Sequence, residues 1–155
     1  MECGIINKSL ILNIEYVSLD KISLSANDFA MMGHSPVRMA DILSVSNRQY
    51  VQKMIMEADT AKATFDQSRS LGGNKFKTEI TFSMLPPSED STDEFNQIHA
   101  LEQGDFCFIV TYFGGSQSFV YAPKHCMSFT YALKEGKYEC SINIENFGGI
   151  QPLSD

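Results

Sequence analysis

Lys124-His125-Cys126 sets an imidazole beside a thiol, the pair from which a cysteine nucleophile is built. Such a thiol needs an activating, partly exposed setting. Neighbours on a strand point to opposite faces, and this tripeptide falls where a strand is expected, so ring and thiol should diverge. Cys107 and Cys140 could meet a histidine in the fold, but Phe106-Cys107-Phe108-Ile109 reads as core. The remaining histidines, His34 and His99, stand apart, and His99 reads as a polar residue on a helix beside Ile98. Zinc needs three or four convergent ligands, and no second cluster supplies them. Glu89, Asp90, Asp93 and Glu94 suggest paired-carboxylate or divalent-metal chemistry. They are better explained as carboxylates at a helix N-terminus, where dipole and amides stabilise them. Leu71-Gly72-Gly73-Asn74-Lys75 lacks the spacing of a phosphate loop and leads into a strand. Aromatic side chains at Tyr112, Phe113, Phe119, Tyr121, Phe129 and Tyr131 could stack on bases or sugars, but their alternation reads as packing. The sequence therefore assigns no catalytic, cofactor-binding or metal-binding residue and implies no cofactor.

The elements that would position these groups are mostly strands. Phe76-Lys77-Thr78-Glu79-Ile80-Thr81-Phe82 and Tyr138-Glu139-Cys140-Ser141-Ile142-Asn143-Ile144 alternate with period two, burying one face. Ser9 to Leu19 reads as a strand with Leu10, Leu12, Ile14 and Tyr16 on one face and Asn13 and Glu15 on the other. Residues 20–47 show no clear pattern and predict a long extended arm or loop, or short pieces that periodicity does not reveal. Arg48 to Phe65 fits both a helical face, capped by Ser46, and a strand; continuity with its neighbours favours the strand. Residues 75–85 form a strand ended by Pro86-Pro87.

One helix is expected from Thr92 to Gln103, with Ser91 and Glu94 as a capping box. Phe95, Ile98 and Leu101 make its apolar stripe, and Gly104 ends it. Asp105 to Phe113 is apolar without interruption, so both faces should be covered. Strands follow around Ser118–Tyr121, Met127–Leu133 and Tyr138–Glu145 as a meander, with turns at Gly114-Gly115 and Lys134-Glu135-Gly136-Lys137. Gly148-Gly149 and a short tail close the chain.

At 155 residues the chain predicts one domain, residues 1–155, able to bury a core without disulfides or metal. No run of apolar residues is long enough to span a membrane as a helix. Met1 to Lys8 lacks the basic start and apolar run of a secretory signal. Cys3, Cys107, Cys126 and Cys140 form no Cys-x-x-Cys pair, and reduced, buried thiols are expected, although a cross-strand disulfide is open. The net charge is −7, of which residues 71–155, with 11 acidic and 5 basic side chains, carry −6. That balance opposes sequence-specific nucleic-acid binding, which needs clustered Lys and Arg.

The order of features after residue 74 carries a resemblance. Asn74 to Phe82, an acidic helix, Phe106-Cys107-Phe108-Ile109-Val110-Thr111, Gly114-Gly115, a strand around Phe129, Gly136-Lys137-Tyr138 and an ending near Gly149 are involved. Together they resemble small β-rich virion proteins of tailed phages, encoded by phages and prophages of the Bacteroides group. The resemblance covers the last half of the chain, lies in the order of elements, and brings no signature residue; residues 1–70 match no such pattern. It implies a tail-tube-like or head–tail connector-like fold: mainly β (α+β), an antiparallel β-sandwich or barrel flanked by one α-helix. It further implies a non-enzymatic virion subunit, forming a homo-oligomeric ring or tube with other virion proteins. DNA would pass through transiently, no membrane would be involved, and assembly would take place in the host bacterial cytoplasm. The alternative is a β-sandwich or barrel binding module holding a small apolar ligand, in a cavity lined by Phe106, Phe119 and Phe129, or a protein partner.

Overall fold

The apolar run after Asp105 forms a strand whose alternate side chains enter two different cores. The computed structural model describes residues 9–23, 37–70, 73–86, 92–146 and 150–154. Its strands are β1 (Ser9–Ser18), β2 (Val37–Arg38), β3 (Gln52–Lys53), β4 (Lys62–Ser70) and β5 (Gly73–Met84). They continue as β6 (Phe106–Tyr112), β7 (Gln117–Ala122), β8 (Met127–Lys134), β9 (Lys137–Asn146) and β10 (Ile150–Ser154). Helices are a single turn, α1 (Met39–Ile42), and α2 (Asp93–Gln103), with 3-10 turns at Leu19–Lys21, Val45–Tyr50 and Lys124–Cys126.

Two four-stranded antiparallel sheets result, β4-β5-β9-β8 and β1-β6-β7-β10. β2 adds parallel to β10, and β3 lies beside β1. The sheets meet where Ser9 and Leu10 of β1 pair with Ala63 and Lys62 of β4 before the strand turns to β6. The ladder stays open, with β8 at one end and β2 at the other, so the sandwich is realised and the barrel is not. The expected meander is divided as well. β6 and β7 belong to one sheet, and Pro123 with the Lys124–Cys126 turn carries the chain across to β8 and β9 in the other.

Between the sheets lies the larger core, with Ile14, Ile80, Phe82, Phe108, Val110, Ile142 and Ile144 at its centre and Ile98 and Leu101 of α2 covering it. Cys107, Ile109 and Phe119 face outward from the second sheet and are covered by Ile42 and Leu43, forming a separate smaller core with Val17. Period two explains this division, since residues 107 and 109 must oppose 108 and 110. β1 departs from the expected alternation. Its register against β6 shifts between Ile11 and Asn13; Ile11 is buried while Leu12 is 48% exposed. One extra residue in a bulge moves later side chains to the other face, and here it falls where the strand changes sheets.

The segment expected as an arm at 20–47 is described only at its ends, and these contain short elements packed on the chain's own sheet. Ser23 N–H donates to the Ile42 carbonyl at 2.8 Å, Asn47 Nδ2 donates to the Lys21 carbonyl at 3.0 Å, and Lys21 Nζ lies 4.4 Å from the Tyr50 ring centre. Arg48 to Phe65 is neither the long strand nor the helix expected. A 3-10 turn, the two residues of β3 and an irregular extended stretch lead into β4. The tail, expected as a simple closure, adds β10 to β7.

Thr92 is the N-cap of α2 and its side chain makes no capping bond, and the proposed cap Ser91 lies outside the described residues. Phe95, expected inward, is 60% exposed, while Gln97 is buried in its place. Gly104 follows with φ +76°, and a Cβ there would approach Lys124 Cα to 3.0 Å. The β8–β9 turn has Glu135 at φ 52° and Gly136 at φ 80°, the two-residue type I′ form. An added Cβ at Gly136 meets nothing within 4 Å, so Gly136→Ala tests backbone conformation alone. It should cost about 1–2 kcal/mol in urea unfolding. Gly104→Ala should cost more, because it adds the Lys124 clash.

Candidate functional site

Both thiols in strands are packing groups. Cys107 and Cys140 are buried, and burial pushes each up to about 12, with the Glu139 carboxylate adding to the effect at Cys140. Cys126 is half-buried. Burial raises its pKa; the nearby Lys75 ammonium opposes this and Glu145 adds to it. Cys107, Cys126 and Cys140 are all free thiols, and Cys3 lies outside the described residues.

Lys124-His125-Cys126 forms a 3-10 turn rather than the strand expected. Pro123 and the sheet crossover account for the difference, since the chain must leave one ladder before joining the next. His125 is exposed, and with Cys126 it lines an open cleft of about 470 Å³ whose other walls include Lys77, Glu79, Asn143 and Glu145. Glu145 Oε2 lies 3.8 Å from Lys75 Nζ and 3.9 Å from Lys77 Nζ. The cleft can hydrogen-bond, but Glu145 is paired with Lys75 and Lys77, Glu79 accepts from Ser141, and burial holds the thiol protonated at neutral pH. A nucleophile is not built there.

His99 is exposed on α2, and His34 lies outside the described residues. Asp93 and Glu94 occupy the first turn of α2 as expected, while Glu89 and Asp90 lie outside the described residues. Among the described residues no three His, Cys, Asp or Glu side chains are grouped to hold a metal. Nor is any described helix long and apolar enough to cross a membrane. Leu71 and Gly72 lie outside the described residues; the backbone on either side pairs as a hairpin between β4 and β5. The aromatics divide between the cores: Phe106 and Phe129 pack against the larger one and Phe119 lies in the smaller. These three rings do not line a common cavity.

The feature that sequence reasoning missed is an edge. Among the described residues, β8 pairs with β9 and no other strand lies beside it. Its alternate residues Met127, Phe129, Tyr131 and Leu133 occupy the core-facing side, yet cover fails toward the turn, leaving Tyr131 41% and Leu133 63% exposed. Tyr131 packs on its neighbours, with ring centres 5.6 Å from Phe129 and 5.3 Å from Tyr138. Alternation looks the same in a central strand and an edge strand, so β8 gave no sign of its position. The only signal was negative: from Met127 to Leu133 the strand has no charge, proline or other edge-blunting residue.

No protein-family profile, curated protein or solved structure matches this chain.

Proposed function

We propose that this protein is a non-enzymatic virion structural subunit of a tailed phage, forming a ring or tube in the head–tail region through which DNA passes. The observation that carries the self-assembly part is the open edge of β8, uncharged over the seven residues from Met127 to Leu133, of which Tyr131 and Leu133 are exposed. Chains that remain alone usually blunt such an edge with charge, proline or a bulge, because unpaired strand edges recruit other strands. Burial of Cys107 and Cys140 supports a scaffold role over thiol catalysis. The acidic balance supports a surface past which DNA moves without adhering. The virion setting rests on the order of elements in the last half of the chain.

Two measurements test this reading together. Light scattering with electron microscopy of the purified protein should show oligomers, and mass spectrometry of purified particles should find the chain in the virion. A strictly monomeric protein that is also absent from particles overturns the proposal.

A further inference from the structure

The hydrogen-bonding pattern of the β8–β9 hairpin determines what the open edge offers. Lys134 and Lys137 flank a two-residue turn and therefore form a hydrogen-bonded pair. Alternation from that pair makes Leu133, Tyr131, Phe129 and Met127 non-hydrogen-bonded toward β9. Their backbone N–H and C=O groups point away from the sheet, to the open side. The residues whose backbone groups face away from β9, and pair with no described strand, are thus the same ones that carry the apolar row.

We infer that β8 pairs with β8 of a second copy of this chain, antiparallel across a two-fold axis at Thr130. Only one register matches all four outward-pointing residues. It sets Met127 against Leu133 of the partner subunit and Phe129 against Tyr131 of the partner subunit, and the reverse pairs follow by symmetry. On the polar face Thr130 meets Thr130 of the partner subunit, and Ser128 meets Ala132 of the partner subunit. No like charges face each other, apolar side chains meet apolar ones, and a threonine pair is a favourable cross-strand contact. The strand carries no acidic residue, and the segment from Lys124 to Lys134 is basic in a chain of net charge −7. In this register Lys134 falls opposite Cys126 of the partner subunit, so the basic ends of the two strands are offset and not directly opposed.

The occupant follows from the count of edges. A head-to-tail contact needs two open edges of matching length. The opposite end of the described ladder is β2, two residues long, beside β10, which contains Pro152. A two-fold contact needs one edge used twice, and β8 supplies it. The paired strands would join the two β4-β5-β9-β8 sheets into one continuous sheet of eight strands. Because a two-fold contact closes after two copies, any ring must be built through other surfaces. The inference rests on the self-association part of the proposed function and does not depend on the virion setting.

Thr130 is exposed on the outer face of its sheet, so substitutions there leave the core intact. Light scattering of the full chain at about 50 μM should show a dimer, which Thr130→Lys weakens at least about tenfold by opposing two ammonium groups at the axis. Circular dichroism should show the variant folded. Mixing Thr130→Lys with Thr130→Glu should restore dimers that neither forms alone. In Thr130→Cys, mild oxidation should give a disulfide between the two copies of position 130, found by peptide mass spectrometry. A wild-type chain that stays monomeric overturns the pairing. So does an oligomer that Thr130→Lys leaves intact and that forms no such disulfide; self-association then stands, and the edge assignment fails.

Discussion

Replacing Gln97 by leucine should lower stability by about 2–4 kcal/mol, although the two side chains are close in size. Gln97 is buried on α2, and its amide makes both bonds that a strand neighbour would make to one residue. Ile55 N–H donates to Gln97 Oε1 at 2.6 Å, and Gln97 Nε2 donates to the Ile55 carbonyl at 2.9 Å. Ile55 lies in the irregular stretch after β3, where no ladder satisfies its backbone. Leucine fills the space and leaves both groups without partners, so the loss reports hydrogen bonds rather than a cavity. Urea unfolding should show a lower midpoint at unchanged slope.

Gln97→Glu separates the two bonds. An ionised carboxylate can still accept from Ile55 N–H but sets negative charge against the Ile55 carbonyl. A protonated carboxyl can do both, and burial favours that neutral form, so the folded pKa of the introduced group lies above its unfolded value. Its favourable contribution is therefore full below the unfolded pKa, near 4.3, and lost as pH rises through the folded pKa. Relative to wild type, Gln97→Glu should recover stability on acidification, and Gln97→Leu should not. If both variants match wild type at neutral pH, α2 is held by Ile98 and Leu101 alone.

What was legible in the sequence follows the strength of the period. β5 and β9 alternate without error over nine paired positions, from Phe76 against Asn146 to Met84 against Tyr138, and one face of each is buried as their period implies. The uninterrupted apolar run of β6 correctly implied cover on both sides. Failures occurred where one residue breaks a period or where tertiary contacts replace it. The β1 bulge inverted the assignment of Leu12 because extra residues in a strand leave no compositional mark. Phe95, expected in the apolar stripe, is exposed and Gln97 is buried, because the amide of Gln97 has a backbone to satisfy, a need that hydropathy does not encode. The stretch from Arg48 to Phe65 takes its shape from Met54 and Ile55 docking against β1 and α2. Met54 N–H donates to the Ile14 carbonyl at 2.8 Å. The chemistry-bearing residues were read correctly as packing groups at Cys107 and Cys140. The open edge of β8 was invisible, since edge position is a property of the assembled ladder.

Alkaline pH should destabilise the fold more steeply than an acidic surface would explain. Cys107 and Cys140 ionise in the folded state only near 12, against an ordinary thiol value of 9.0, because burial disfavours the thiolate. With folded values raised, their contribution is complete below the unfolded pKa and is lost as pH rises from about 9 toward 12. In that window the unfolded chain releases two protons that the folded chain keeps. Two groups at about 1.4 kcal/mol per pH unit each give a slope of about 2.7 kcal/mol per unit. Burial also raises Tyr16 and Tyr112, which adds loss of the same sign at the upper end. Urea midpoints between pH 7.5 and 10.5 should fall accordingly, and Cys107→Ala should remove about half of the thiol slope. Alkylation gives a second readout of the same physics. With Cys3 and Cys126 replaced by serine, iodoacetamide should label the two remaining thiols only on unfolding, at a rate that urea accelerates. Rapid labelling of either in the folded protein at neutral pH would mean an activated thiol in place of a core one.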